Sequence, residues 1–387
     1  MNFSTDKYRL MAPGPVAMNE KVRTALQLPM VHHRTPLFVD TLKSCLTHLK
    51  TVFQTKNDVM MLPTTGSGAM EAAIVNTCSP GDKILCIVTG KFGERFAQIS
   101  KTYGLDVHNI NVPWGEAVDL NVVEEFLHQH PNTHAITCQA CETSTATENP
   151  ILEISRLKQK ITPNAIYIVD GITAVGAMPI AMDQDGIDVL VSGSQKAFQI
   201  PTGLSFIALS EQAWKANETS KCPRYYLNVK KEREANKKGQ TFFSSSVALI
   251  RALLVVLEDM TEKGIDSCVS RSHTLAESIR QGAGELGLQV YSQSPADSVT
   301  ALVVPEGMDG GALRSHMEKK YNITIMGGQD HLTGKIVRIG HLGDISDEDN
   351  MATIFYLGKS LQDFGYSLTD DQIENAVNRC EQVLLQS

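Results

Sequence analysis

Short apolar runs alternate with amphipathic segments between about residues 58 and 210. Each run is apolar throughout rather than at every second position, which predicts strands that are covered by helices on both faces. The predicted strands are 59–62, 84–88, 135–138, 165–169, 189–191 and 204–209, and helical patterns between them include 121–130 and 150–161. This order predicts an α/β domain with a mostly parallel sheet, in which ligands bind at the carboxyl ends of the strands.

A different order of elements follows from about residue 246. A long apolar-rich helix pattern covers 246–262, followed by a helix at 267–286, a strand at 299–304, a helix at 310–320, a strand at 335–339 and two closing helices. This order predicts a smaller α+β domain. Because 387 residues are too many for one ordinary core, we expect a large domain at 20–260 and a small domain formed by 1–19 and 261–387. No repeat or low-complexity linker separates the two, so they should pack closely.

Composition and charge exclude several classes of protein. Apolar residues make up 42% of the chain and charged residues 20%, which is ordinary for a globular protein and unlike a disordered one. The net charge is −8, and acidic residues interrupt the one basic stretch at 230–238. That stretch is typical of a solvated loop rather than of a nucleic-acid site. We therefore expect no nucleic-acid partner.

The cysteines and the first residues of the sequence indicate the cellular compartment. Only Cys138 and Cys141 of the eight cysteines form a C-x-x-C, inside an apolar run and without a second pair, which predicts buried thiols rather than a metal or redox site. Residues 1–7 lack the basic and then apolar pattern of a signal peptide. No apolar stretch approaches the ~20 residues that span a bilayer. These features predict a cytoplasmic protein with no metal and no membrane association.

An acid and a lysine stand at the ends of two predicted strands. Asp170 closes the apolar run 165–169, and Lys196 follows the run 189–191 by five residues. Taken singly, the acid could cap a turn and the lysine could face solvent. Together they meet two needs of pyridoxal phosphate (PLP) chemistry, a lysine that forms an imine with the aldehyde and a carboxylate that keeps the pyridine nitrogen protonated.

A glycine- and hydroxyl-rich loop at 63–69 follows the first predicted strand and leads into a helix. Backbone N–H groups at a helix start, with glycines that permit close approach, form an anion site. An ordinary Gly/Ser turn with a helix cap explains the loop equally well. It lacks the Gly-Lys-Ser/Thr ending of a Walker loop, which argues against a nucleotide phosphate.

With these motifs in this order, the sequence resembles the class V aminotransferases of PLP fold type I. Within them it is most similar to the branch of alanine–glyoxylate, serine–glyoxylate and serine–pyruvate aminotransferases. The resemblance extends from Pro13-Gly14-Pro15 to Val337-Arg338-Ile339-Gly340. It implies a large domain with a seven-stranded type of sheet between helices, a small C-terminal domain, PLP as cofactor and a ping-pong transamination.

The resemblance also implies roles for the cofactor-binding residues. Lys196 matches the Schiff-base lysine, and its neighbour Gln195 matches a contact to the cofactor phosphate. Asp170 matches the partner of the pyridinium nitrogen. Phe92 falls where the family has an aromatic ring stacked on the pyridine, and Ile172 would cover the other face of the ring.

Further positions complete the match. Thr65, Gly66 and Ser67 correspond to the phosphate loop, and Thr143 corresponds to a hydroxyl near the ring oxygen. The sequence departs from the family at 140–141, where Ala-Cys replaces a more polar pair, and at Thr147, which stands for a common glycine. These departures leave the lysine, the aspartate and the phosphate loop intact.

Two matches imply a shared active site. Thr241 and Ser244 correspond to residues that reach the phosphate of the neighbouring subunit, which implies a homodimer. Phe242 and Ser245 stand where the family usually has prolines, so the sequence departs from the family at this segment.

The substrate pocket follows from the same resemblance. Arg338 matches the arginine that binds the substrate α-carboxylate, as suits a guanidinium fork, and Gly14 lines the same pocket. The branch implies a small donor, alanine or serine, and glyoxylate or pyruvate as acceptor. Aspartate is the alternative and needs a second cation, for which Arg34 is a candidate. Ureidoglycine or an aminophosphonate are further alternative donors.

Three other functions fit the sequence less well. A cysteine desulfurase-like lyase needs a reactive cysteine ahead of the carboxylate-binding arginine, and no cysteine lies between Cys268 and Cys380. A non-catalytic descendant would have lost Lys196 or Asp170. An NAD-binding enzyme needs a G-x-G-x-x-G after the first strand, which is missing.

Overall fold

The computed structural model describes residues 3–386. Met1, Asn2 and Ser387, which belong to the predicted small domain, lie outside the described residues. The helices are α1 (Glu20–Gln27), α2 (Pro36–Val52), α3 (Gly66–Thr77), α4 (Lys91–Thr102), α5 (Leu120–Gln129), α6 (Ile151–Ile161), α7 (Glu211–Thr219), α8 (Val229–Asn236), α9 (Val247–Lys263), α10 (Ile265–Glu285), α11 (Gly310–Tyr321), α12 (Asp347–Asp363) and α13 (Asp370–Leu384).

The strands fall into one large sheet and three smaller ones. They are β1 (Arg9–Leu10), β2 (Val59–Leu62), β3 (Lys83–Val88), β4 (Asp106–Asn111), β5 (Ala135–Gln139), β6 (Cys141–Glu142), β7 (Thr147–Glu148), β8 (Ile166–Asp170), β9 (Val189–Gly193), β10 (Ser205–Leu209), β11 (Val299–Val303), β12 (Ile323–Thr324), β13 (Met326–Gly327) and β14 (Ile336–Gly340). A single-turn 3₁₀ helix covers Asp330–Leu332.

The large sheet has seven strands in the order β2-β10-β9-β8-β5-β3-β4. The pairs from β9 to β4 are all parallel, whereas β10 runs antiparallel to both β9 and β2. Strands β2, β5, β8, β9 and β10 are buried along their whole length, because helices cover both faces of the sheet. The predicted α/β class with a mostly parallel sheet is therefore confirmed.

The C-terminal elements form a second unit around the antiparallel sheet β11-β14-β13. Helices α12 and α13 each begin with a capping box, at Ser346 and Thr369, which defines where the two closing helices start. The N-terminal strand β1 pairs in parallel with β12, with Arg9 opposite Ile323, and so joins this unit. The domain boundaries at 20–260 and at 1–19 with 261–387 stay a prediction.

Two further features bear on the sequence analysis. Cys138 and Cys141 are buried free thiols, which confirms that part of the prediction. Among residues 3–386, no helix is long and apolar enough to cross a membrane.

Candidate active site

A cavity of about 250 Å³ lies at the carboxyl-end edge of the large sheet. Asp170 is the last residue of β8, Lys196 follows β9, and the loop after β2 leads into α3. Because the parallel strands end at one edge, residues far apart in sequence converge there. The cavity is lined by Thr65, Gly66, Ser67, Phe92, Arg95, Thr143, Asp170, Ile172, Thr173, Gln195 and Lys196. Nine of these were predicted site residues.

Lys196 lines this cavity and is partly exposed. Its Nζ donates a hydrogen bond of 2.7 Å to the backbone carbonyl of Pro13. Burial, with the nearby positive charge of Arg338 second, lowers the pKa of Lys196 to about 8. A Cβ atom on Gly14 would lie 2.4 Å from Nζ, so the predicted contact of Gly14 with this site depends on the absence of a side chain there. A substantial fraction of Lys196 is thus the neutral, nucleophilic amine near pH 8.

Asp170 lies deeper in the same cavity. Its Oδ1 accepts a hydrogen bond of 2.9 Å from the backbone N–H of Ile172. Burial raises the pKa of Asp170 to about 7, well above its usual value. A cation held against this carboxyl would favour the ionised form and reverse that shift. The site therefore suits a ligand that carries a protonated nitrogen.

The N-terminus of α3 forms the anion-binding end of the cavity. The N-cap residue Thr65 makes no side-chain capping bond, so its hydroxyl is not used to close the helix. Ser67 Oγ accepts a hydrogen bond of 2.8 Å from Arg95, which brings a positive charge to this end. The side-chain oxygen of Gln195 is buried without a hydrogen-bond partner within residues 3–386. Backbone N–H groups, the helix dipole and a guanidinium together favour a phosphate here.

The walls between these two ends combine apolar side chains with threonine hydroxyls. Phe92 and Ile172 both line the cavity, and the guanidinium carbon of Arg95 lies 4.9 Å from the centre of the Phe92 ring. The hydroxyls of Thr143 and Thr173 share a hydrogen bond of 2.8 Å at the cavity wall. Phe92 and Ile172 would supply apolar surface to a planar ring, and the hydroxyl of Thr143 a polar contact.

Arg338 reaches the site from strand β14 of the smaller unit and is 7% exposed. Its Nε and Nη1 donate to the backbone carbonyls of Gly327 (2.9 Å) and Thr143 (2.8 Å). No carboxylate within residues 3–386 forms an ion pair with it, which is unusual for a buried guanidinium. Burial lowers the pKa of Arg338 to about 10. The geometry leaves a buried cation that a ligand carboxylate could neutralise.

Two cavity residues, Arg95 and Thr173, were not predicted. Arg95 lies three residues after Phe92 on α4, and helical spacing was a usable signal because residues three apart share a face. Thr173 offered no such signal, since it reaches Thr143 through a turn after β8 that sequence periodicity does not describe.

Five predicted residues are not part of the cavity lining in the single chain. Gly14 and Arg338 adjoin the lining residues Lys196 and Thr143, whereas the other three lie elsewhere. Thr241 and Ser244 line a separate small space of about 10 Å³, where the hydroxyl of Thr241 donates to the carbonyl of Phe243. Arg34 is exposed on the surface, and its backbone N–H contacts His32. A role of Thr241 and Ser244 at a neighbouring subunit's phosphate therefore stays a prediction.

The residues present fit PLP on three structural grounds. The start of α3 with Arg95 suits the phosphate, and the side-chain N–H₂ group of Gln195, which lines the same cavity, could donate to that anion. The buried Asp170 suits a protonated ring nitrogen. The neutral fraction of Lys196 suits an aldehyde.

Comparison with known proteins agrees with this geometry. The family model "Aminotransferase class-V" matches residues 18–340. The soluble hydrogenase 42 kDa subunit of Anabaena cylindrica is 37% identical over 366 residues, which are 93% of this chain and 95% of that protein. The L-aspartate–glyoxylate aminotransferase of Paracoccus denitrificans is 32% identical over 367 residues, 93% of each chain.

A solved structure is also similar over most of the chain. An aspartate aminotransferase from Thermus thermophilus superposes with a TM-score of 0.86 and 27% identity, covering 92% of this chain and 99% of that one. The family model covers well over half of the 387 residues. The chain therefore belongs to the class-V aminotransferases, and it is a transaminase that uses pyridoxal phosphate.

Proposed function

We propose that the protein transfers an amino group from a small amino acid, alanine or serine, to glyoxylate or pyruvate by a ping-pong mechanism. The observation that carries this proposal is Arg338, a buried guanidinium without a carboxylate partner beside the catalytic cavity. Both the amino donor and the oxo-acid acceptor carry an α-carboxylate that it would bind in turn.

When bound, PLP supplies an aldehyde that takes up the amino group and a ring that withdraws electrons from the donor's Cα. Lys196 would hold the cofactor at rest, and its Nζ, once displaced by the donor, would move the proton from Cα. Asp170 would keep the ring nitrogen protonated. Phe92 and Ile172 would fix the plane of the ring, while Arg338 holds the carboxylate and thereby orients the bond to be broken.

The charges around the cavity favour a small donor over a dicarboxylate. Within residues 3–386, Arg95 and Lys196 are the only Lys or Arg side chains that line it, and Arg95 is bound to Ser67 at the anion end. With Arg338 taken by the α-carboxylate, no further cation among residues 3–386 lines the cavity for a second carboxylate; Arg314, whose charge acts on Arg338, lies outside the lining. The exposed Arg34 would have to act on a neighbouring subunit's site.

Aspartate is the second candidate donor. It is supported by the names of the Paracoccus denitrificans relative and of the Thermus thermophilus structure. The test is to measure kcat/KM with glyoxylate for alanine, serine and aspartate in parallel. A preference for alanine or serine supports the proposal, and a preference for aspartate that Arg34→Gln abolishes would replace it with the second candidate.

We also propose that the protein is a homodimer whose subunits share their active sites. Exposed apolar side chains support this, namely Leu28, Met30 and Leu37 on one segment and Tyr225 and Tyr226 on another. Residues 239–246 connect the two groups, because Gly239 packs against Val39 and the Phe243 ring lies 4.5 Å from that of Tyr226. Exposed apolar patches of this kind mark protein interfaces. Thr241 and Ser244 belong to this connecting segment, as sharing of the phosphate site requires.

A further inference from the structure

Glu142 is a fully buried carboxylate next to the cavity, at the end of β6. Its Oε2 accepts hydrogen bonds from the backbone N–H groups of Phe92 (2.9 Å) and Gly93 (3.0 Å). Its Oε1 accepts from the N–H (3.1 Å) and the hydroxyl (2.6 Å) of Ser144. Every one of these bonds uses the carboxylate as an acceptor, which suits the ionised form. No Lys, Arg or His within residues 3–386 forms an ion pair with it.

The carboxylate of Glu142 caps helix α4 from a different part of the chain. The N-cap position of α4 is Gly90, which has no side chain to satisfy the first N–H groups of the helix. Glu142 binds two of these groups, and Ser144 Oγ accepts a third from Lys91 (3.0 Å). A Cβ on Gly90 would lie 2.5 Å from both Glu142 Cγ and Ser144 Oγ, so the glycine is what permits this approach. A negative charge at this helix end is also favoured by the helix dipole.

This cap joins two parts of the cavity wall that are fifty residues apart in sequence. On one side it holds the first turn of α4, which carries Phe92 and Arg95. On the other side Glu142 directly precedes Thr143, whose hydroxyl lines the cavity and whose carbonyl accepts a hydrogen bond from Arg338. Burial raises the pKa of Glu142, while its hydrogen bonds from Ser144, Gly93 and Phe92 oppose that shift and favour the ionised form. The negative charge of Glu142 in turn opposes the burial that lowers the pKa of Arg338.

We infer that Glu142 is a positioning residue for the reaction, which fixes the ring-stacking side chain of Phe92, the hydroxyl of Thr143 and the carboxylate-binding Arg338 in one rigid frame. It touches neither cofactor nor substrate and acts through these three residues. This inference rests on the proposed function, in which the cavity holds the cofactor ring and Arg338 holds the substrate carboxylate.

The test is the variant Glu142→Gln, in which one oxygen can still accept from α4 while the amide N–H₂ faces the donors of Ser144. Misplaced catalytic groups cost up to about 10²-fold in rate, so we expect kcat/KM to fall by about that factor with a raised KM for the donor. We further expect weaker binding of added PLP to the apoprotein, a shifted visible absorption band, and faster hydrogen exchange at Phe92 and Gly93.

The control is Asp349→Asn, which, unlike Glu142→Gln, also weakens ion pairs, with Lys7 (2.7 Å) and Arg9 (2.9 Å). Asp349 is also a buried carboxylate that caps a helix, accepting from the N–H and hydroxyl of Ser346 at the start of α12, but it lies outside the cavity lining. Both variants should lower the melting temperature. Only Glu142→Gln should change PLP affinity, the band position and the donor KM.

If Glu142→Gln matches Asp349→Asn in those three quantities, the inference is wrong. If Glu142→Gln does not fold, Ser144→Ala decides, because it keeps the carboxylate but removes one donor to it and the acceptor for Lys91. Unchanged PLP affinity and donor KM in Ser144→Ala would then overturn the inference. Failure of the wild-type protein to bind PLP or to transaminate would instead refute the proposed function.

Discussion

Burying the carboxyl of Asp170 lowers the stability of the apoprotein, although the proposed function needs this group. Burial holds the pKa of its carboxyl at about 7, so between its usual pKa and 7 the folded apoprotein binds more protons than the unfolded chain. The contribution of this group to the free energy of unfolding therefore decreases as pH rises through that range. The full cost of an ionised, unpartnered Asp170 is reached above pH 7.

We predict that Asp170→Asn makes the apoprotein more stable than wild type above pH 7. Each pKa unit corresponds to about 1.4 kcal/mol, so we expect a gain on the order of 2 kcal/mol after the cost of the unmatched amide. This difference in the free energy of unfolding between the variant and the wild type should disappear towards acidic pH. Denaturant unfolding of both apoproteins over a pH series measures it. The same variant should lose about 10²–10³-fold in kcat, because a preorganised charge is missing. A wild-type apoprotein that is the more stable at all pH values would contradict this account.

The lowered pKa of Lys196 makes a separate prediction for cofactor uptake. Only the neutral amine attacks an aldehyde, and burial moves the pKa of Lys196 down to about 8, so the neutral fraction rises through pH 8 rather than above pH 10. The rate at which apoprotein and PLP form the visible absorption band should therefore increase with pH up to about 8 and then level off. Lys196→Arg, which keeps the charge, should give no band. A rate that still rises steeply well above pH 9 would show that the pKa of the Lys196 amine is not lowered.

At the start of helix α3, we predict that a side chain at Gly66 weakens the binding of PLP. A Cβ on Gly66 would lie 2.6 Å from Ile172 Cδ1, so Gly66→Ala should push that side chain into the space for the ring. We expect PLP affinity to fall by about tenfold, equivalent to about 1.4 kcal/mol. Gly284→Ala, in helix α10 with open space around it, is the control and should be neutral or slightly stabilising. Equilibrium titration of the two apoproteins with PLP distinguishes them, and equal affinities would exclude a role for close approach at Gly66.

The elements also show how far the sequence predicts the fold. Six strands of the large sheet were predictable because they are buried on both faces and therefore apolar throughout. The seventh, β4 (Asp106–Asn111), was missed because it is an edge strand with a largely polar, exposed sequence. The predicted helices and strands after residue 246 agree with the structure to within about two residues at each end.

The candidate site was predictable to a similar degree. Residues at strand ends, such as Asp170 and Lys196, are marked by an apolar run before them. Arg338 was identified by resemblance alone, since its position in a buried strand suggests an ordinary structural ion pair. Thr173 reaches the cavity through tertiary packing, which leaves no periodic signal in the chain.

The homodimer is the prediction at the scale of the whole molecule. Leu37 is 62% exposed at the start of α2, within the proposed interface, so Leu37→Glu should shift the protein from dimer to monomer and reduce activity. The control is Leu385→Glu, because Leu385 is 77% exposed near the end of the chain, outside those segments. Sedimentation velocity at micromolar concentration measures both. A wild-type protein that is monomeric with its cofactor bound would refute the shared active site.

The most direct test of the account identifies the lysine that carries the cofactor. The holoprotein is reduced with borohydride, which fixes the pyridoxyl group to its lysine, then digested and analysed by mass spectrometry. We predict that the group is found on the peptide containing Lys196, and that prior incubation with alanine or serine prevents the labelling by converting the cofactor to its amine form. A pyridoxyl group on any other lysine, or none in a protein reconstituted with PLP, would contradict the assignment of Lys196 and of the cavity around it.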